Sequence, residues 1–178
     1  MVVRLKAIKP ATFHSDRMRL EMLNELRKVG TEIKADFAET CETWKHKPKF
    51  TVKPSLAGKV PSITVSTTDE IYGWVDEGTQ GDYPIVAGYY TGKSDKRALA
   101  YQAIFRPKTR RGRRTSLAGS YSGDWIVRKS VIHPGIEARE FSKDIAADWG
   151  GDAGEEGYFE ERMQEALDRA ARKSGHGA

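Results

Sequence analysis

Residues 15–44, SDRMRLEMLNELRKVGTEIKADFAETCETW, read as one long helix. Leu23, Leu26, Gly30, Ile33, Phe37, Cys41 and Trp44 recur three or four positions apart, which lines them up in one apolar stripe. Ser15 or Asp16 can cap the start, and Glu21 and Glu25 stand in the early turns. A helix of this length spans roughly 45 Å at 1.5 Å per residue. That is more than a small sheet needs, so part of it is expected to project or to meet a neighbour. Gly30 costs about 1 kcal/mol in mid-helix and marks a kink or a close packing contact. Lys45 to Pro48 end the helix.

Strand signals follow. FTVK (50–53), VPSITVST (60–67) and IYGWV (71–75) are short, β-branched or aromatic, and separated by Pro and Gly. Ile63, Val65 and Thr67 alternate with Ser62, Thr64 and Ser66, the pattern of a half-buried strand. LAYQAIF (99–105) is expected to pair with WIVRKSVI (125–132) across a basic loop, 106–124, whose Gly, Ser and Arg content predicts mobility. Phe141–Gly150 is expected to be helical, GGDAGEEG (150–157) a hinge, and Tyr158–Lys173 a last amphipathic helix carrying Phe159, Met163, Ala166, Leu167 and Ala170 on one face. The prediction is an α+β fold: a long N-terminal helix packed on an antiparallel or mixed sheet, with C-terminal helices. Residues 1–178 are expected to make one domain, divided into the helix 15–44, a β region 50–132 and a helical part 133–173.

Composition narrows the function. The single cysteine, Cys41, rules out an intramolecular disulfide and a Cys-based metal centre. At its helical apolar position it reads as a small buried hydrophobe. The chain fits a reducing cytoplasm, lacks an apolar run long enough for a membrane span, and begins with no signal-peptide pattern. With 38% apolar residues and 4 Trp, 7 Tyr and 6 Phe, a small core is expected, with surfaces that need a partner.

Charge is segregated. Lys93–Lys129 holds 11 Lys/Arg and 2 Asp/Glu, a net +9, whereas Ile136–Asp168 holds 3 and 11, a net −8. Oppositely charged segments of this kind are expected to pair within or between subunits. Six basic residues crowd into nine positions: Arg106, Lys108, Arg110, Arg111, Arg113 and Arg114. Three roles stay open for them: a solvated loop, contact with an acidic protein surface, or contact with DNA phosphates. Tyr121 and Trp125 flank the cluster and lend the DNA reading some support through stacking. Trp125, at the start of a strand, also reads as a core or interface residue. Tyr89 and Tyr90 are expected to anchor a strand or an interface.

Catalytic signals are weak. Asp76, Glu77 and Asp82, with His133 elsewhere, could serve a metal-dependent hydrolase, because hard cations take clustered carboxylates. The spacing fits no calcium loop, and adjacent carboxylates on a strand point to opposite faces. The plainer reading is a strand ending in a Gly-containing turn. Nucleophile-elbow, Walker and zinc-protease motifs are all missing. No cofactor is expected, and the chain reads as a non-enzyme.

IYGWVDEGTQGDYPI, then LAYQAIF, a variable loop, VIHPGIEAREF and an amphipathic helix follow in fixed order. This order resembles the tail-completion proteins of long-tailed bacteriophages, the minor tail or neck proteins that join head and tail. The resemblance spans about residues 15–173 and is sharpest at Val75–Thr79 and His133–Phe141. It implies a structural virion protein at the head–tail junction, made in the host bacterial cytoplasm and assembled as a homo-oligomeric ring, commonly six-fold. Terminator, connector and tail-tube proteins are the implied partners, with DNA in the channel as a further candidate. It implies structural roles for Asp76, Glu77, Gly78, Thr79, His133, Pro134, Gly135 and Phe141. Gly78 would free the turn, Thr79 would bond to backbone, His133 would lock the last strand to the next helix, and Phe141 would anchor that helix.

Overall fold

The computed structural model describes residues 1–6, 16–57, 60–87, 98–106, 109, 119–150 and 157–173. The long helix is α1 (Asp16–Glu39). It stops five residues before Trp44, the expected end. From there Cys41 and Glu42 donate to the carbonyls of Ala38 and Glu39, three residues back, and Trp44 donates to Cys41. The tighter turn still delivers Thr40 and Cys41 to the interior, so the stripe outlasts the α-helix. Along α1 itself Met22, Leu26, Val29, Ile33 and Phe37 are fully buried.

The helix lies on a three-stranded antiparallel sheet of β1 (Val2–Lys6), β2 (Thr51–Ser55) and β3 (Ser62–Ser66), in the order β1-β3-β2. The alternation in β3 works as expected: Ile63 and Val65 enter the core while Ser62, Thr64 and Ser66 stay half-buried. Pro54, which has no N–H to give, sits on the edge strand β2. Gly30 allows close packing here, since a Cβ on it would lie 2.5 Å from Cγ1 of Val52.

The stretch expected as the strand IYGWV is instead a helix, α2 (Glu70–Glu77). Asp69 caps it, with Oδ1 accepting from the Tyr72 N–H at 2.9 Å. Tyr72 and Asp76, one turn apart, form its buried face. Five residues of mixed aromatic and aliphatic type do not distinguish a period of 2 from one of 3.6, and the cap and core contacts decide. The Tyr72 ring packs against Phe37, Trp44, Phe50 and Phe141, and its hydroxyl lies 3.0 Å from that of Thr40.

The rest of the β region forms two separate two-stranded antiparallel sheets: β4 (Tyr83–Val86) with β7 (Ser130–His133), and β5 (Leu99–Arg106) with β6 (Ser120–Arg128). The expected pairing of 99–105 with the strand after the loop is present. However, WIVRKSVI divides at Lys129 between two sheets, and Ser120–Asp124 belong to β6 rather than to the loop. Lys108, Arg110, Arg111, Arg113 and Arg114 lie outside the described residues, as do Tyr89, Tyr90 and residues 151–156 of the expected hinge.

Helices α3 (Phe141–Gly150) and α4 (Tyr158–Lys173) complete an α+β fold. Phe159, Met163, Ala166 and Ala170 of α4 are buried in the core that α1 shares. Polar groups reinforce this packing. Glu25, 3% exposed, accepts from Arg162 Nη2 at 2.6 Å and from Arg169 Nη2 at 2.7 Å. Arg162 also reaches Glu32, and Lys173 reaches Glu21. Trp149 of α3 donates to Asp36 at 2.7 Å. Acidic groups of α1 thus take basic groups of α4, an ion-pair pattern different from the basic-loop pairing that the charge segregation suggests. Eight of the eleven basic residues in 93–129 lie outside the described residues.

Candidate functional site

The two most distinctive sequence segments meet. Helix α2 ends at Glu77, and Gly78 turns the chain at φ +81°. A side chain there would be strained, and its Cβ would fall 2.8 Å from the Ile136 carbonyl oxygen. Thr79 then clasps Ile136 twice: its N–H donates to the Ile136 carbonyl at 2.9 Å, and its hydroxyl accepts from the Ile136 N–H at 2.9 Å. Thr79 therefore bonds across to the other segment. The Asp82 N–H donates to the His133 carbonyl at 2.8 Å, and the β4–β7 ladder begins there with Tyr83 opposite His133.

His133 has a defined role in this clasp. Its Nδ1 accepts from the Gly135 N–H at 3.0 Å, which places the proton of the neutral ring on Nε2. Its ring stacks on Tyr83, with centroids 4.9 Å apart. Gly135, at φ +83°, lets the chain run against Thr79, whose carbonyl oxygen would be 2.5 Å from any Cβ added there. Pro134, between them, is exposed.

Asp76 is buried, at 2% exposed, on the inner face of α2. Its two carboxylate oxygens accept from Ser142, one from the backbone N–H at 3.0 Å and one from the hydroxyl at 2.6 Å. Its backbone carbonyl accepts from Glu140 and Arg139. Asp76 thus caps α3 from another element and places a negative charge at that helix's positive end. Phe141, the first residue of α3, is fully buried against Tyr72. Glu77, next to Asp76, is exposed. Asp76 is therefore engaged with Ser142 and His133 with Gly135 and Tyr83, while Glu77 faces outward. Among the described residues no group of three His, Cys, Asp or Glu comes together that could hold a metal ion.

The sequence reading passed over two features. Arg139 is buried, donates from Nη1 to Glu137 at 2.9 Å and has no partner for Nε among the described residues. It lines a largely apolar cavity of about 970 Å³, beside Trp44, Ile71, Val75, Tyr101 and Ile136. Neither feature had a motif to betray it, because the lining residues come from four distant parts of the chain. Asp69 is the second helix-capping carboxylate. Burial alone would raise its pKa, but hydrogen bonds from His46 and from the Tyr72 N–H hold it below the usual carboxylate range.

Comparison of the chain with known protein families, curated proteins and solved structures finds no match.

Proposed function

We propose that this chain is a non-enzymatic structural component of a tailed-phage virion. It would act at the head–tail junction, forming a ring, six-fold in the simplest case, that completes the tail or neck between connector, terminator and tail tube. One observation carries this reading. The two segments that bear the resemblance, Val75–Thr79 and His133–Phe141, form a single clasp in which the side chains of Asp76, Thr79, His133 and Phe141 are spent on turns, a cap and the core. Such a clasp holds a framework in shape; its carboxylate and imidazole nitrogen already have partners.

The test is electron microscopy of particles assembled without the chain. Unjoined heads and tails, or joined particles that leak DNA, are expected. Normal, infectious, fully joined virions would sink the reading.

A DNA-contacting role has its own observation: Arg106 is exposed at the end of β5, and Trp125 is 69% exposed on the paired strand. Neutralising Arg110, Arg111, Arg113 and Arg114 should then impair DNA retention or ejection while leaving the fold intact. Fluorescence anisotropy at low salt, where phosphate contacts are strongest, should show binding. Its absence there would remove this role.

A further inference from the structure

The β5–β6 ribbon is built as if one of its faces were meant to be covered. Eight of the nine β6 residues are exposed, and only Ile126 is half-buried. A two-stranded sheet is marginal in water on its own. Part of its inner face is accounted for: Tyr101, opposite Ile126, lines the cavity beside Ile71 of α2, whereas Tyr121, opposite Phe105 further along the same face, is 65% exposed.

The other face follows from the register. Ala100 pairs with Val127, Gln102 with Trp125, Ile104 with Ser122 and Arg106 with Ser120. The irregularity between Gln102 and Ile104 gives β6 one more residue than β5 across this step, at Gly123 and Asp124. Val127, Trp125, Ile104 and Arg106 therefore share the outer face. Val127 is 64%, Trp125 69% and Ile104 51% exposed. Arg106 stands at one end of this apolar stripe, and Lys129 follows Val127 by two positions at the other. Residues 107–119, between the two strands, add five more Lys/Arg to the sequence.

A surface of matching character exists elsewhere on the chain. Glu70, Ile71, Trp74 and Glu77 of α2 are all exposed, and at about 100° per residue they fall within an arc of about 120°. Ile71 and Trp74 are half exposed, and Ile71 leads into the apolar cavity. Residues 60–92, which include α2, hold five Asp/Glu and no Lys or Arg. The exposed face of α4 is also acidic, but it offers no large apolar side chain beyond Tyr158 at its start.

We infer that the outer face of the β5–β6 ribbon docks on the exposed face of α2 in a second copy of this chain. The ribbon cannot reach its own α2 with that face, because its opposite face is turned toward the α2 side. The contact is heterologous, ribbon to helix, so each copy keeps one free ribbon and one free α2 face until a ring closes. Trp125 is the anchor, with the basic ribbon and the acidic helix setting orientation and encounter rate. Ring closure rests on the virion reading above; the pairwise contact does not.

Light scattering on the full-length protein over a wide concentration range tests this. The mass should rise above the monomer's 19.9 kDa. Trp125→Ser should weaken self-association at least about 30-fold. R106E/K129E and E70K/E77K should each remain monomeric, while an equimolar mixture of the two should associate again, because each reversed surface then meets its complement. All five positions are exposed, and thermal melts would verify that the variants fold. Wild-type mass retained by both charge-reversed proteins overturns the contact while leaving a ring built through other surfaces possible. A wild type that stays monomeric at every concentration overturns the contact too. If particles lacking the chain are nevertheless complete, the virion reading fails while a measured ribbon–helix contact still stands.

Discussion

The helical body and the β5–β6 ribbon use similar residue types in opposite ways. In the body, Phe37, Tyr72 and Phe141 are sealed from water, the two phenylalanine rings each tilted against that of Tyr72. In the ribbon, Trp125, Val127 and Ile104 stand in solvent. The difference lies in layering. In the body α3, α4 and the three-stranded sheet all pack on α1, whereas the ribbon has two strands and only part of one face covered. Burial, and with it the energetic weight of a side chain, follows from the number of layers and not from hydrophobicity alone.

Substitutions can break or sharpen that contrast. The largest effect is expected for Phe37→Ala, which empties a ring-sized space at the centre of the aromatic cluster and should cost about 4 kcal/mol in chemical denaturation. Next is Glu25→Ala, which strips the buried acceptor from Arg162 and Arg169 and should cost about 3 kcal/mol, since Arg162 retains Glu32.

Glu25 also carries a pH signature. Burial would raise its pKa, but the hydrogen bond and charge of Arg162, with Lys28 and Arg169, bring it below the ordinary value of 4.5. The folded state thus binds this proton less readily than the unfolded chain. Its contribution is full above about pH 4.5 and is lost as pH falls through the lowered value. Melting temperatures of the Glu25 variant should accordingly fall less steeply with acid than those of the wild type.

Asp76→Ala removes the cap of α3 and leaves the Ser142 N–H and hydroxyl unpaired, for about 2 kcal/mol. His133→Ala loses one hydrogen bond and the Tyr83 stack, for about 1 kcal/mol, measured by the same unfolding curves. Smallest is Trp125→Ser, at under about 0.5 kcal/mol for the isolated chain. A loss above about 1 kcal/mol there would mean that the ribbon's outer face is covered within the chain, and the contrast would collapse.

The parts legible in the sequence were those whose pattern is local and long. The α4 boundaries, Tyr158–Lys173, and those of α3, Phe141–Gly150, match the reading from periodicity, and the alternation in β3 showed which side faces the core. The stripe on α1 was readable too, although the helix gives way to tighter turns after Glu39. IYGWV misled because its aromatic and β-branched residues favour a strand, while its conformation is set by the Asp69 cap and the pocket that receives Tyr72. Asp76 drew attention as a carboxylate, but its acceptors' partner lies 66 positions away at Ser142, a distance no spacing rule covers.

By itself the sequence determined the α+β class, the buried faces of α1 and α4 and the two glycine-bearing turns, because helix and strand periods and left-handed turns are local properties of the backbone. Only the tertiary structure decided that the two turns clasp each other, that Asp76 caps a distant helix, that Glu25 holds α4 to α1, and that Trp125 faces water. Each of these depends on which distant residues share a small volume, and that is fixed by packing of the whole chain rather than by any stretch of it.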